Sequence, residues 1–364
     1  MQPAPPPDIR ALVDQILLDA LQRRASDVHW EPAAASFDLR FRIDGALQTI
    51  QQIEISTARA MVVRLMVMAK LLTYRLEVPQ EGRISIMAPQ TNQSVELRLA
   101  VMPTIHGMRA AVRMPADQVQ AAVLEELGLP GPVFEGLLRF AGAEAGMLIL
   151  TGPAGSGKTT TIYALLRRIV QAERGISVIA LEDPVERNLA GVTQIEVSPF
   201  GQLTYERALR SILRQDPQVL MLGEIRDAAT ASLAVQAALS GHRLITTFHA
   251  ATPGGAIARL LEMGIEPYQL TSSIYGVVSQ RLVRRKNPQG GTLGRVPIAE
   301  FVSMDSALRN AVLTHSDADS LHEVYRSQPG HQSLADAARA MVEAGIADPA
   351  DVQPIIASSG PTEP

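Results

Sequence analysis

Gly146-Met147-Leu148-Ile149-Leu150-Thr151-Gly152-Pro153-Ala154-Gly155-Ser156-Gly157-Lys158-Thr159-Thr160 is the stretch that decides the fold of this chain. Met147 to Leu150 are apolar without alternation, as expected of a parallel strand buried on both faces. Residues 152–159 then satisfy the phosphate-loop pattern G-x-x-x-x-G-K-[ST], and the spacing predicts a helix over residues 159–173. Glycines let the backbone turn its N–H groups toward a phosphate, and the helix N-terminus favours the anion. Lys158 is placed to meet β and γ oxygens, and the Thr159 hydroxyl to ligate Mg²⁺. Gly152, Pro153, Ala154, Gly155, Ser156, Gly157, Lys158, Thr159 and Thr160 are therefore the candidate nucleotide-phosphate site. The alternative is a glycine-rich turn that only packs; the strand–loop–helix order argues against it.

Downstream of this loop, short apolar runs at residues 177–181, 219–222 and 244–247 alternate with helical stretches at 205–214, 228–239 and 255–263. Strands alternating with helices predict an α/β domain, a parallel sheet covered on both faces. Upstream the pattern differs. Residues 8–24 carry helical spacing, Phe37, Leu39, Phe41 and Ile43 alternate with charged residues, and Asp44-Gly45 supplies a hairpin turn. A helix at 57–72 and strands at 82–87, 94–101 and 109–114 complete a small α+β domain. The expected layout is a flexible proline-rich leader (1–7), the α+β domain (8–114), a linker (115–127), the α/β domain with short C-terminal helices (128–355) and a disordered tail (356–364).

Composition narrows the function classes. A formal net charge of −4 argues against direct nucleic-acid binding through a broadly basic surface, although Arg281, Arg284, Arg285 and Lys286 form a local basic run. That run reads as a solvated face near a helix end. The chain has no cysteine, so disulfides and thiolate zinc sites are excluded and no zinc is expected. The N-terminus lacks a basic segment followed by an apolar one, and no apolar run is long enough to span a bilayer. Any membrane connection is expected through a partner.

Hydrolysis of a γ-phosphate needs carboxylates. Val219-Leu220-Met221-Leu222-Gly223-Glu224 is an apolar strand ending in an acid, with glycine where Walker B segments usually carry Asp. Glu224 is the candidate to orient or deprotonate the attacking water. Residues 177–181 deliver Glu182, Asp183 and Glu186 to the same carboxyl-end edge, where ligands bind in such sheets. Glu182 and Glu224 join Thr159 as candidate metal-site residues; an ordinary exposed loop is the alternative for the 182–186 cluster.

Further segments follow in order: Ala180-Leu181-Glu182-Asp183-Pro184-Val185-Glu186, Leu209-Arg210-Ser211-Ile212-Leu213-Arg214-Gln215-Asp216-Pro217, Gly223-Glu224-Ile225-Arg226-Asp227, Gly241-His242-Arg243-Leu244-Ile245-Thr246-Thr247-Phe248-His249 and Gln280-Arg281-Leu282-Val283-Arg284-Arg285. With Ser26-Asp27-Val28-His29-Trp30-Glu31-Pro32 and Arg40-Phe41-Arg42-Ile43-Asp44-Gly45 before the loop, the chain resembles the secretion-ATPase superfamily, specifically the type II secretion and type IV pilus assembly ATPases, over residues 25–355. The resemblance implies a RecA-like P-loop ATPase domain with a parallel-rich sheet, preceded by a small α+β, PAS-like domain. It implies a homo-hexamer holding ATP and Mg²⁺ at the cleft between the two domains, in the cytoplasm, docked on an inner-membrane platform protein. Lys158, Glu182, Glu186, Glu224 and His249 are then the catalytic set, and Arg83, Arg98 and Arg113 reach the phosphates, often a neighbour's. Each arginine has the alternative of pairing with a nearby acid such as Glu96. His242 and His249 read as phosphate sensors or interface switches, or else as satisfied structural histidines; His29 reads as structural.

Three departures from the family pattern stand out. Asn287-Pro288-Gln289-Gly290-Gly291 occupies the place of a four-cysteine zinc module, the additional N-terminal docking domain is not expected, and His249 is followed by Ala250-Ala251-Thr252 instead of Thr-Asn-Asp. The expected function is a Mg-ATP-hydrolysing motor for type II secretion or pilus assembly. The rivals are a nucleotide-gated ring with negligible hydrolysis, a pilus retraction or DNA-uptake motor, and a nucleic-acid translocase.

Overall fold

The computed structural model describes residues 8–88, 93–114, 123–197, 203–289, 292–314 and 317–358, arranged in two compact units, Met1–Gln120 and Ala121–Pro364. The predicted leader, most of the predicted linker and the last six residues lie outside the described residues.

In the first unit α1 (Ile9–Gln22) precedes β1 (Asp27–Pro32), β2 (Phe37–Ile43) and β3 (Ala46–Ile53); α2 (Ile55–Met68) leads to β4 (Gln80–Ala88), β5 (Gln93–Thr104) and β6 (Gly107–Arg113). The strands form one antiparallel sheet in the order β3-β2-β1-β6-β5-β4. Its apolar residues, among them Trp30, Phe37, Phe41, Ile84 and Val112, close a core with Val13 and Leu17 of α1 and Met61 and Leu65 of α2. The alternation read in β2 is this burial, every second side chain facing the helices. Register across the sheet pairs Arg83 with Arg98, Arg98 with Arg113, Arg113 with Asp27 and Asp27 with Arg42. The three predicted arginines therefore form one row on three adjacent strands, and all three are exposed.

The second unit begins with a 3-10 turn at Leu124–Glu126 and α3 (Gly131–Ala141), followed by β7 (Gly146–Thr151), α4 (Lys158–Ala172), β8 (Val178–Glu182), β9 (Thr193–Glu196), α5 (Tyr205–Ile212), β10 (Val219–Leu222), α6 (Ala228–Leu239) and β11 (Arg243–Phe248). After α7 (Pro253–Glu262) and α8 (Pro267–Ser273) come β12 (Ile274–Lys286) and β13 (Thr292–Ser303), then α9 (Ser306–Leu313), α10 (Ala318–Arg326), α11 (Leu334–Glu343) and α12 (Pro349–Ser358). The sheet order is β13-β12-β7-β11-β10-β8-β9, parallel throughout except for β13, which runs against β12. This is the expected α/β fold with a parallel-rich sheet. Alternate residues of β7 serve the two covered faces: Met147 and Ile149 pack with α6 to α10, Leu148 and Leu150 with α3 and α4.

Three expectations change. Leu124, placed in the linker, is 1% exposed and belongs to the core under α3 and α4, because its side chain fills space between them. The last helix runs to Ser358, past the expected boundary at 355, since Ile355 and Ile356 pack on the cluster of Val283, Ile298, Leu334 and Ala338. The basic run 281–286 lies on strand β12, not at a helix end; Arg284 pairs with Asp351 through Nε at 2.9 Å.

Candidate active site

Parallel strands carry their carboxyl ends to one edge, so β7, β11, β10 and β8 deliver the phosphate loop, His249, Glu224 and Glu182 side by side. β10, which leads into Glu224, does not neighbour the phosphate-loop strand. β11 lies between them, which puts His249 beside Glu224.

The loop itself is shaped by two close approaches. Gly152 (φ +140) and Gly157 (φ +87) both lie where an L side chain is strained. A Cβ on Gly152 would collide with the Gln280 carbonyl oxygen, and one on Gly157 would sit 2.8 Å from Gln280 Nε2. Pro153, Ala154 and Gly155 stay exposed at the rim, Ser156 is buried, and Thr159 and Thr160 open the first turn of α4. Lys158 Nζ donates to the carbonyls of Gly152 (2.7 Å) and Pro153 (2.9 Å). Burial holds its ammonium pKa below the ordinary value, Arg281 adds to that, and Glu224 opposes it. Arg295 donates to Gly155 O at 3.4 Å. The cations at the loop thus rest on main-chain carbonyls, and Ser156 Oγ is buried without a hydrogen-bond partner. A cradle of glycines, cations hydrogen-bonded to main-chain carbonyls and a hydroxyl unsatisfied among the described residues fit an anionic phosphate group.

Glu224 is held from two sides. His249 Nε2 lies 3.0 Å from Oε2, and Arg226 takes Oε1 while Asp183 stands 3.6 Å from Arg226. Glu224 is only 17% exposed. The strand end is tied in place by Thr247 Oγ1 donating to Gly223 O (2.6 Å) and Ile225 N donating to Thr247 O (3.2 Å). Gly223 stands where Walker B segments usually carry Asp, and the space beside it is tight: a Cβ there would sit 2.6 Å from the Tyr205 hydroxyl and 3.3 Å from Leu181 O, so a side chain would require Tyr205 to shift.

Glu182 has a different setting from Glu224. It is 3% exposed, and its two oxygens accept from Tyr163 of α4 and from Gln194 Nε2 of β9, the latter at 2.9 Å. Burial raises its carboxyl pKa against those hydrogen bonds. Each Glu182 oxygen thus already accepts one hydrogen bond and keeps a further lone pair. Glu186 lies exposed on the loop beyond it. Among the described residues no three His, Asp or Glu side chains converge on a metal position.

The remaining candidates separate. His242 sits at the opposite end of β11, its Nδ1 2.9 Å from Ala237 O and 3.1 Å from Ser240 Oγ, closing the end of α6 as a structural residue. His29 lies on the first unit's sheet with Nδ1 3.0 Å from Arg109, which also binds Glu31. Arg83 pairs with Glu96 at 3.2 Å, the alternative weighed for it. Sequence reasoning did not assign roles to Tyr163, Tyr205, Arg226 and Gln280. All but Arg226 bear on the site across gaps of at least 18 residues, so no local spacing marks them.

The model of the type II/IV secretion system protein family matches residues 6–354. The type II secretion system ATPase E of Vibrio cholerae is 40% identical over 277 residues, 76% of this chain and 54% of the relative. The type IV pilus assembly ATPase PilB of Thermus thermophilus is 34% identical over 352 residues, 86% of this chain and 39% of the relative. The chain therefore spans about half or less of the length of these two relatives. The X-ray structure of the Legionella pneumophila ATPase DotB has the same fold, with a TM-score of 0.79 over 98% of both chains at 21% identity. With the family model covering both units, the chain belongs to the type II/IV secretion system protein family.

Proposed function

We propose that this protein is a ring-forming motor that hydrolyses Mg-ATP and drives type II secretion or type IV pilus assembly through an inner-membrane platform protein. The observation that carries the reading is the shared sheet edge. A glycine-shaped phosphate loop, with Lys158 and Thr159 at the helix start, stands with a His249–Glu224 pair 3.0 Å apart. Glu224 is the residue to orient and deprotonate the attacking water, His249 and Arg226 fix its carboxylate, and Glu182 holds α4 to β8 and β9 through Tyr163 and Gln194. Lys158, Thr159, Thr160 and the loop amides bind the phosphates; Mg²⁺, when bound with the nucleotide, supplies neutralising charge at the β and γ oxygens. Glu186 contributes negative charge on the loop after β8.

The exposed row Arg83, Arg98 and Arg113 serves the transferring phosphoryl group of a neighbouring subunit in a homo-hexamer. The reading places the work in the cytoplasm, with membrane attachment through a partner; among the described residues no helix is long and apolar enough to cross a membrane. The Ala250-Ala251 departure does not favour the non-hydrolysing ring. Ala251 is held by its backbone, its carbonyl accepting from Arg281 Nη2 at 2.8 Å, so the loop after His249 keeps its position without polar side chains. Mg-dependent phosphate release by the purified protein tests the reading, and a protein that binds ATP yet releases no phosphate would return the nucleotide-gated ring to first place.

A further inference from the structure

Gln280 lies on β12, 1% exposed, beneath the phosphate loop and 122 residues beyond Lys158 in the chain. A buried amide must satisfy both ends or cost stability. Here both ends are used on the phosphate-loop segment. Nε2 donates to Ser156 O at 2.8 Å, and Oε1 accepts from Thr161 Oγ1 at 2.9 Å. Thr161 is itself 2% exposed, on the first turn of α4. The neighbouring residues of β12 brace the other side of the site. Arg281 Nη1 donates to Gln280 O at 3.0 Å, and both Arg281 and Ser279 donate to Ala251 O, at 2.8 and 3.4 Å.

We propose that Gln280 is a positioning residue for nucleotide binding: its side-chain amide pins the Ser156 carbonyl inward and so aims the Gly157 N–H outward at the phosphate site. The argument is the planarity of the peptide unit. In a trans peptide C=O and N–H point in opposite directions, so fixing the oxygen of residue 156 fixes the N–H of residue 157. The same side chain excludes a Cβ from Gly157, and the Gln280 main chain excludes one from Gly152. The anion-binding shape of the loop is thus imposed from β12 and not held by the loop alone. Without the clamp the loop samples other shapes, and the fraction ready for phosphate falls.

This inference rests on residues 152–159 being a nucleotide site, and the experiment separates the two. ADP binding is measured by calorimetry on the whole chain for the wild type, Gln280→Met and Thr161→Val, alongside melting without nucleotide and ATP turnover. Gln280→Met keeps the volume and removes both hydrogen bonds; the expected result is about tenfold weaker ADP binding, with a raised KM and a kcat within about twofold. A merely structural defect lowers the melting temperature and kcat without that split. Thr161→Val removes only the Oε1 partner and is expected to weaken ADP by about threefold; it carries the test alone if Gln280→Met does not fold. Wild-type affinity in both variants overturns the positioning role and leaves the nucleotide site standing. A wild type that binds no ADP overturns both.

Discussion

At the scale of single residues, Gly223 explains the most. General phosphate-loop logic asks for an aspartate there, and the Tyr205 hydroxyl occupies the space its Cβ would need. Gly223→Ala is expected to destabilise by roughly 1–3 kcal/mol through overpacking, and Tyr205→Phe in the same chain should recover part of that loss in urea unfolding. No recovery would locate the strain at Leu181 O instead. On the proposed function, Glu224 carries the chemistry that an acidic pair shares elsewhere. Glu224→Gln should bind nucleotide with little change while phosphate release falls by about a hundredfold or more; undiminished release removes Glu224 from its role. The site was legible where chemistry dictates a local pattern: the loop at 152–159, the strand-end Glu224 and the His249 that follows β11. It was not legible where packing decides. Nothing in Glu182-Asp183-Pro184-Val185-Glu186 marks the first of these as buried against Tyr163, because that partner comes from α4.

At the scale of elements, short unbroken apolar runs mark β7, β8, β10 and β11, which are buried on both faces, and helical spacing marks the helices that follow. β12 and β13 carry no such signal, because a strand of 13 residues that turns from buried to exposed along its length mixes apolar and basic residues without a period. That hairpin supports the C-terminal helices. Glu300 on β13, 3% exposed, accepts from Leu334 N at 3.1 Å at the start of α11, with His331 Nε2 at 3.9 Å. Burial pushes its carboxyl up to about 7, with Arg281 and Arg326 pulling down and Asp336 pushing up. A carboxyl raised in the folded state favours folding while it is protonated. That advantage is complete below the ordinary value near 4.5 and lost as pH rises through about 7. Glu300→Gln should therefore stabilise the protein at pH 8 by on the order of 1–3 kcal/mol and much less at pH 5. An equal gap at both pH values in chemical denaturation would show that ionisation is not the cause. Asp227, the last residue of the segment that begins at Gly223, has a plainer task. It caps α6 by accepting from Thr230 N at 2.7 Å, and Asp227→Ala should cost about 1 kcal/mol of stability.

At the scale of the whole molecule, the two units have separate cores, and the first contributes its charges as a row fixed by sheet register. Sequence spacing alone left Arg83, Arg98 and Arg113 as three independent candidates 15 residues apart; antiparallel pairing aligns them. A row on a sheet that stays exposed in one chain is suited to serve another copy. Mixed rings test this without any assumption about how the units are disposed. Lys158→Ala subunits lack a working phosphate loop but keep the arginines, and Arg113→Ala subunits the reverse; each alone should be inactive or nearly so. If Arg113 acts on a neighbour's nucleotide, random mixing in equal amounts restores complete sites at about a quarter of the interfaces. If it acts within its own chain, mixing restores none. Rings of wild type mixed with Lys158→Ala calibrate how far hydrolysis tolerates dead neighbours, so an absence of recovery in the double mixture, against a tolerant calibration, removes the arginine row from the neighbour's site.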